Sequence, residues 1–279
     1  MQGKEERIKM VDYHVHTELS FDSEGVLDEY AAVARQRGIT EFCLTEHFEP
    51  GYPYDVDISV DWGLYEKNLS HAREAAPEVS IGKGVEIGIL PENLAMLELA
   101  LADKGLDFII ASLHVSRGLD PYYPGFFDGL TIKEIQRVYL EEMTHCLKNY
   151  HYYNVVGHIG YMDKYIDMEH CGGREQAAQY ADFPEVYDEL LRTIITSGRG
   201  IEINTSSYAS FGFPLPHPTI LRRYIELGGE IITTGSDSHR PQTLGNGIRE
   251  CLEILSDCGG KYVAVFKGME PTFTRIEDL

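Results

Sequence analysis

The sequence is poor in cysteine, poor in basic residues and free of long apolar runs. Its five cysteines, Cys43, Cys146, Cys171, Cys251 and Cys258, are odd in number and scattered, with no C-x-x-C pair. That argues against a disulfide framework or a thiolate zinc site, and a reducing cytoplasm is the expected compartment. Lys and Arg total 24 against 45 Asp and Glu, a formal net charge of −21. Such a field repels nucleic acid and anionic lipid, so neither is an expected partner. No apolar stretch approaches the roughly 18 residues needed to span a bilayer. The N-terminus, MQGKEERIKMVDYHVH, lacks the apolar core of a signal peptide. No G-x-G-x-x-G follows the first candidate strand, which counts against a dinucleotide-binding sheet.

What is present is ordinary globular composition, 43% hydrophobic and 25% charged over 279 residues. That length suits two average domains or one α/β barrel. Short apolar runs alternate with longer amphipathic stretches, the pattern of a mainly parallel sheet with helical crossovers. Candidate strands are 10–14, 41–45, 84–87, 107–113, 154–157, 200–204 and 230–234, with an eighth run at 261–266. Candidate helices are 27–37, 60–76, 92–104, 131–150, 183–197, 219–227 and 244–256. Pro91 fits a first helical turn, and Thr131 with Glu134 forms a capping-box pattern. Segments 49–59 and 118–129 read as long loops over one face, and 163–182 resists assignment. Residues 1–279 are expected to form a single α/β barrel domain, with an open doubly wound sheet as the alternative.

The residues at the strand ends carry the chemistry. In chain order they read His14-Val15-His16 with Asp22 beyond, Thr45-Glu46-His47, Val85-Glu86, Ser112-Leu113-His114, Gly157-His158, Glu202-Ile203-Asn204 and Gly235-Ser236-Asp237-Ser238-His239. In a barrel these ends converge on the C-terminal face, where catalytic residues collect. Each signal is weak alone; the set is not. H-x-H and D-x-H put two side chains on one side of an extended strand, so both reach one cation. Mixed imidazole and carboxylate ligands suit zinc, iron or manganese better than magnesium or calcium. Six histidines and three carboxylates exceed the needs of one four-coordinate ion, so two or three metals are implied. Their charge would leave a locally positive pocket in an acidic protein, and a phosphate is the natural ligand.

At these residues the sequence resembles the polymerase and histidinol phosphatase family of metallophosphoesterases. Within it the chain looks most like the stand-alone histidinol-phosphate phosphatases. The shared pieces are TEHF (45–48), ASLH (111–114), GH (157–158), EINTS (202–206) and GSDSH (235–239). The resemblance implies a distorted seven-stranded, TIM-like β/α barrel with a trinuclear metal site. Carried over residue by residue, His14, His16, Glu86 and Asp237 would hold one metal. Glu86 would bridge to a second, held also by His114 and His158, and Asp22, His47 and His239 would hold the third. Asp22 stands where some relatives have His. Some relatives place phosphate-binding arginines where this chain has Lys164 and Ser206. Lysine meets a phosphate oxygen as a point charge, without arginine's fork.

The expected reaction is metal-assisted hydrolysis of a small phosphate monoester, with metal-activated hydroxide attacking phosphorus in line. L-histidinol phosphate is the leading substrate. Another small phosphate ester or a nucleotide, or an amidohydrolase-type C–N bond, remains open. Candidate substrate contacts are Arg117, Lys164, Ser206, His217 and Arg240, although Pro218 equally suits His217 to helix entry. Tyr52, Tyr54, Tyr122, Tyr123, Phe126 and Phe127 lie in loops and suit either a lid over an aromatic ligand or loop packing. His71, His145, His151 and His170 lie away from strand ends and receive no role.

Overall fold

The computed structural model describes residues 10–166 and 177–279. Seven parallel strands follow chain order around a nearly closed barrel. They are β1 (Met10–Val15), β2 (Ile39–Phe48), β3 (Ser80–Gly88), β4 (Phe108–Ser112), β5 (Val155–Val156), β6 (Gly200–Asn204) and β7 (Ile232–Gly235). Helices α1 (Leu27–Arg37), α2 (Trp62–Ala75), α3 (Leu94–Leu101) and α4 (Ile132–Asn149) follow the first four strands. Helix α5 (Pro184–Thr196) precedes β6, and the short α6 (Tyr208–Phe211) and α7 (Pro218–Glu226) follow it. Helix α8 (Ile248–Asp257) follows β7. Strands covered on both faces must be apolar or small throughout, and β4 and β6 are buried at every position.

Closure is partial. β1 and β7 meet through a parallel bridge between Val15 and Ser238, where His16 N donates to Ser238 O at 2.9 Å. Next to it, side chains replace the ladder. Thr234 Oγ1 donates to Val11 O at 3.0 Å, and Asp12 Oδ1 accepts from Ser236 N at 2.9 Å.

The eighth apolar run is not a barrel strand. β8 (Tyr262–Lys267) pairs antiparallel with β9 (Glu270–Arg275) in a hairpin. Gly268 and Met269, at φ 56° and 69°, form the two-residue turn, left-handed at both positions as a twisted hairpin requires. Its tip reaches the N-terminal ends of β4 and β5, where Met269 N donates to Asp107 O at 2.9 Å and Asn154 Nδ2 donates to Met269 O at 3.0 Å. Phe266 packs beneath, 5.0 Å from the Phe108 ring.

Three helix starts fall two or more residues later than expected; α2 begins at Trp62, where the Asp61 side chain accepts from Leu64 N at 3.0 Å. α3 begins at Leu94, beyond Pro91, because the Asn93 side chain accepts from Leu90 N at 2.9 Å and donates to Gly88 O at 2.9 Å, making a turn first. α8 begins at Ile248 because Gly245 and Gly247 hold left-handed φ of 73° and 75°. The Thr131–Glu134 capping box forms, and His217 caps α7 ahead of Pro218. His170 lies outside the described residues, as does part of 163–182. Among the described residues no helix is long and apolar enough to cross a membrane, and the four described cysteines are free and buried.

Candidate metal centre

Strand register performs the first step of assembly. β2 and β3 pair so that His47 lies directly beside Glu86. β1 carries His14 at its end and His16 just beyond, with ring centroids 5.0 Å apart. His114 and His158 each stand two residues past β4 and β5, and their Nε2 atoms lie 3.4 Å apart. Two motif glycines permit this crowding. A Cβ at Gly235 would strike His14 and Glu202, and one at Gly157 would strike Ser112. The D-x-H of GSDSH works differently from expectation. It lies past β7, and Asp237 reaches inward from a left-handed φ of 54° rather than from an extended strand.

Glu86 is the hub. Its Oε2 lies 3.2 Å from His14 Nε2, 3.5 Å from His16 Nε2 and 3.0 Å from His47 Nδ1. Its Oε1 lies 3.0 Å from His158 Nε2 and 3.3 Å from His114 Nε2, and accepts from Ser112 Oγ at 2.6 Å. Asp237 Oδ1 stands 3.6 Å from both His14 and His16 Nε2. Asp22 Oδ2 stands 3.2 Å from His239 Nε2 and 3.5 Å from His47 Nε2. All nine expected ligand residues are thus brought to one place. Ligand-capable atoms gather into overlapping sets: His16 with His47 and His239, His14 with His16 and Asp237, His14 with Glu86 and His158, and His47 with Glu49 and His114.

Two further carboxylates hold rings directly and a third acts through a serine, and the sequence reading assigned none of them. Glu202 Oε1 lies 2.5 Å from His14 Nδ1, and Glu49 Oε1 lies 2.7 Å from His114 Nδ1. A carboxylate at Nδ1 places the proton there and turns Nε2 inward as a lone-pair donor, the usual support of a metal-binding histidine. Glu46 accepts from Ser20 Oγ at 2.6 Å, and Ser20 stands 3.2 Å from His16 Nδ1. Glu49 had a signal: it follows His47 in an H-x-E spacing, the same two-residue step as H-x-H.

The ligand chemistry fits a cation. His14 Nε2, His16 Nε2, His47 Nδ1 and Glu86 Oε2 are buried and face one another at 3.0–3.5 Å, but none of them makes a well-directed hydrogen bond. Orphaned buried polar atoms are rare, and here they converge. Burial disfavours charge on every one of these rings. At His14 the carboxylates of Glu202, Glu86 and Asp237 outweigh burial and hold the ring well above the ordinary imidazole range. His47 is raised likewise, first by Glu86, and His114 is pushed up to about 10 by Glu49 and Glu86. His16 and His158 are lowered, chiefly by burial. Burial opposes ionisation of Glu86, but His14 and His114 hold it well below the carboxylate range. The carboxylates thus favour positive charge among them, as protons on imidazoles or as cations in their place.

A cleft of about 320 Å³ opens over the cluster, and Lys164, Ser206, Tyr52, Asp120, Tyr161 and Tyr165 join residues of the cluster in its walls. Lys164 Nζ stands 3.1 Å from Asp237 Oδ2, and Ser206 Oγ donates to the same oxygen at 3.2 Å. Three other expected contacts do not line this cleft. Arg117, at φ 57°, folds its guanidinium onto Phe126 and donates to the Phe126 carbonyl. Arg240 borders a neighbouring cleft with Thr243 and Glu250. His217 accepts from Thr219 N at 3.2 Å as a helix cap. Of the loop aromatics, Tyr52 lines the cleft, Tyr54 and Tyr123 stack at 4.0 Å, and Phe126 is buried against Phe127.

Residues 12–206 match the PHP domain family model. The histidinol-phosphatase of Lactococcus lactis is 28% identical over 94% of this chain and 96% of its own length. A probable histidinol-phosphatase of Clostridium acetobutylicum is 29% identical over 90% and 95%. Among solved structures, the Lactococcus lactis histidinol phosphate phosphatase, complexed with zinc, L-histidinol and phosphate, superposes with a TM-score of 0.86 at 26% identity, covering 94% of this chain and 98% of that one. A putative histidinol phosphatase of Listeria monocytogenes shares the fold, with a TM-score of 0.73 at 19% identity over 86% of this chain and 99% of that one. Strand-end histidines and carboxylates on a seven-stranded barrel, with a family match across most of the length, place this chain in the PHP domain family.

Proposed function

We propose that this chain is a metal-dependent phosphomonoesterase that converts L-histidinol phosphate to L-histidinol and phosphate. The observation that carries this reading is the convergence of orphaned imidazole nitrogens on Glu86, in a fold whose relative binds zinc, L-histidinol and phosphate. Two or three ions of zinc, iron or manganese suit the donor set. His14, His16, Glu86 and Asp237 would hold one, Glu86, His114 and His158 a second, and Asp22, His47 and His239 a third. Bound divalent metals supply electrophilic activation of the phosphate and of a water molecule.

The protein's own groups do the rest. Glu202 and Glu49 fix the orientation of the His14 and His114 rings. Lys164 and Ser206 stand at the mouth beside Asp237, placed to take phosphate oxygens. Among the described residues, no lysine stands at a mid-barrel strand end facing the cluster; Lys83 on β3 turns away to Glu66 and the Lys104 carbonyl. That removes the lysine on which an amidohydrolase-type centre would rest. One hydrophobic core runs through the described residues, which supports reading 1–279 as one domain. Free buried thiols suit a reducing compartment such as the cytoplasm.

The test is phosphate release from a panel of phosphomonoesters that includes L-histidinol phosphate. The protein is loaded with zinc, iron or manganese, and His14→Ala is run beside it. Release concentrated on L-histidinol phosphate and lost in the variant is expected. No release from any ester at any loading overturns the reading.

A further inference from the structure

The loop between β4 and α4 carries a carboxylate that the metal cluster does not use. Asp120 is buried yet borders the cleft that opens over the metal centre. Its Oδ2 accepts from Tyr52 Oη at 2.6 Å, and its Oδ1 accepts from Tyr122 N at 2.8 Å. Among the described residues it forms no ion pair. Each oxygen keeps a free lone pair, and a buried carboxylate without a cation is costly. Burial accordingly pushes its pKa up, against the Tyr52 hydrogen bond. The surroundings are aromatic: Tyr52 and Tyr54 lie 5.5 Å apart, Tyr161 packs on His114 at 4.8 Å, and Tyr161 and Tyr165 share a hydroxyl contact at 3.0 Å. An acid set among tyrosine rings is the chemistry that receives an organic ammonium, by charge and by the ring faces. Lys164 and Ser206 flank Asp237 in the same cleft, with Lys164 Nζ 5.4 Å from the Tyr161 ring centroid, and supply its phosphate end.

We infer that Asp120 is a specificity-determining residue that binds the ammonium group of the leaving alcohol, so that the site selects phosphate monoesters of amino alcohols. This rests on the phosphomonoesterase reading above and names what that reading leaves open, the group that distinguishes the substrate from other small esters. In L-histidinol phosphate the amine sits on the carbon next to the ester-bearing carbon. The paired carboxylate sharpens recognition because an ester lacking the amine leaves Asp120 buried and unpaired.

The experiment compares kcat/KM for L-histidinol phosphate with that for its desamino analogue, 3-(imidazol-4-yl)propyl phosphate, on the metal-loaded full chain. The wild-type ratio is expected to favour the amine by roughly 10- to 100-fold, the worth of a buried charged hydrogen bond. In Asp120→Asn the ratio is expected to collapse towards one. A purely structural role would lower both substrates together and leave the ratio unchanged, which overturns the assignment. Tyr52→Phe removes one hydrogen bond to Asp120 and keeps its charge, so it should retain most of the preference. Should Asp120→Asn not fold, Asp120→Ser, which also removes the charge, supplies the same ratio; equal hydrolysis of both esters by the wild-type chain refutes the role of Asp120 while leaving the phosphatase intact. Hydrolysis of neither ester refutes both.

Discussion

At the N-terminal end of the barrel, the hairpin tip satisfies what it covers: Asp107 O accepts from Met269 N, Asn154 bridges Ile109 N and Met269 O, and the rings of Tyr13, Phe108 and Phe266 pack together. At the C-terminal end, imidazole and carboxylate atoms of six strand ends face one another at 3.0–3.6 Å with several left unbonded. Buried polar atoms without a hydrogen bond occur elsewhere among the described residues too, at Tyr150 and Arg199, but they are a phenol and a guanidinium, not a ligand set. The first end is arranged for stability and the second for binding, the division expected of a barrel enzyme. Unsatisfied polar atoms persist where a ligand will satisfy them.

The contrast can be broken at either end. The largest effect is expected from Glu86→Gln, because Glu86 touches five of the six site histidines. Phosphate release should drop to that of the chelator-treated protein, with folding retained by circular dichroism; retained activity would remove Glu86 as hub. Next is Phe266→Ala at the hairpin, expected to cost about 3–5 kcal/mol in denaturant unfolding. The folded fraction should keep the wild-type kcat, and a loss of kcat without a loss of stability would mean that the two ends are not separable. Smaller still is Glu202→Gln, which keeps the shape but removes the charge behind His14. Metal affinity should weaken by roughly 10- to 100-fold, and equal affinity would make Glu202 a bystander.

The sequence displayed much of this division. Strand-end positions were legible because buried parallel strands read as short apolar runs, and a His or Glu at the end of such a run stands out. The nine clustered residues follow from that pattern with the family resemblance. The supporting shell was less legible: Glu202 was visible at a strand end but pairs with His14 across the barrel, a contact 188 residues away in sequence. Arg117 was illegible because a left-handed backbone, not spacing, aims its side chain. The hairpin was half legible, since β8 shows as an apolar run while β9 is largely exposed and polar.

The central claim is that the C-terminal cluster is a cation site whose charge is otherwise balanced by protons. Calorimetric titration of the chelator-treated full chain with zinc or manganese, in buffers of different ionisation enthalpy, counts those protons. The carboxylates around His14, His47 and His114 raise these rings above the ordinary imidazole range and favour their protonated form, and an imidazole must lose a proton to ligate. Binding should therefore release protons and tighten as pH rises. Binding without proton release and indifferent to pH, or no binding at all, would contradict the claim.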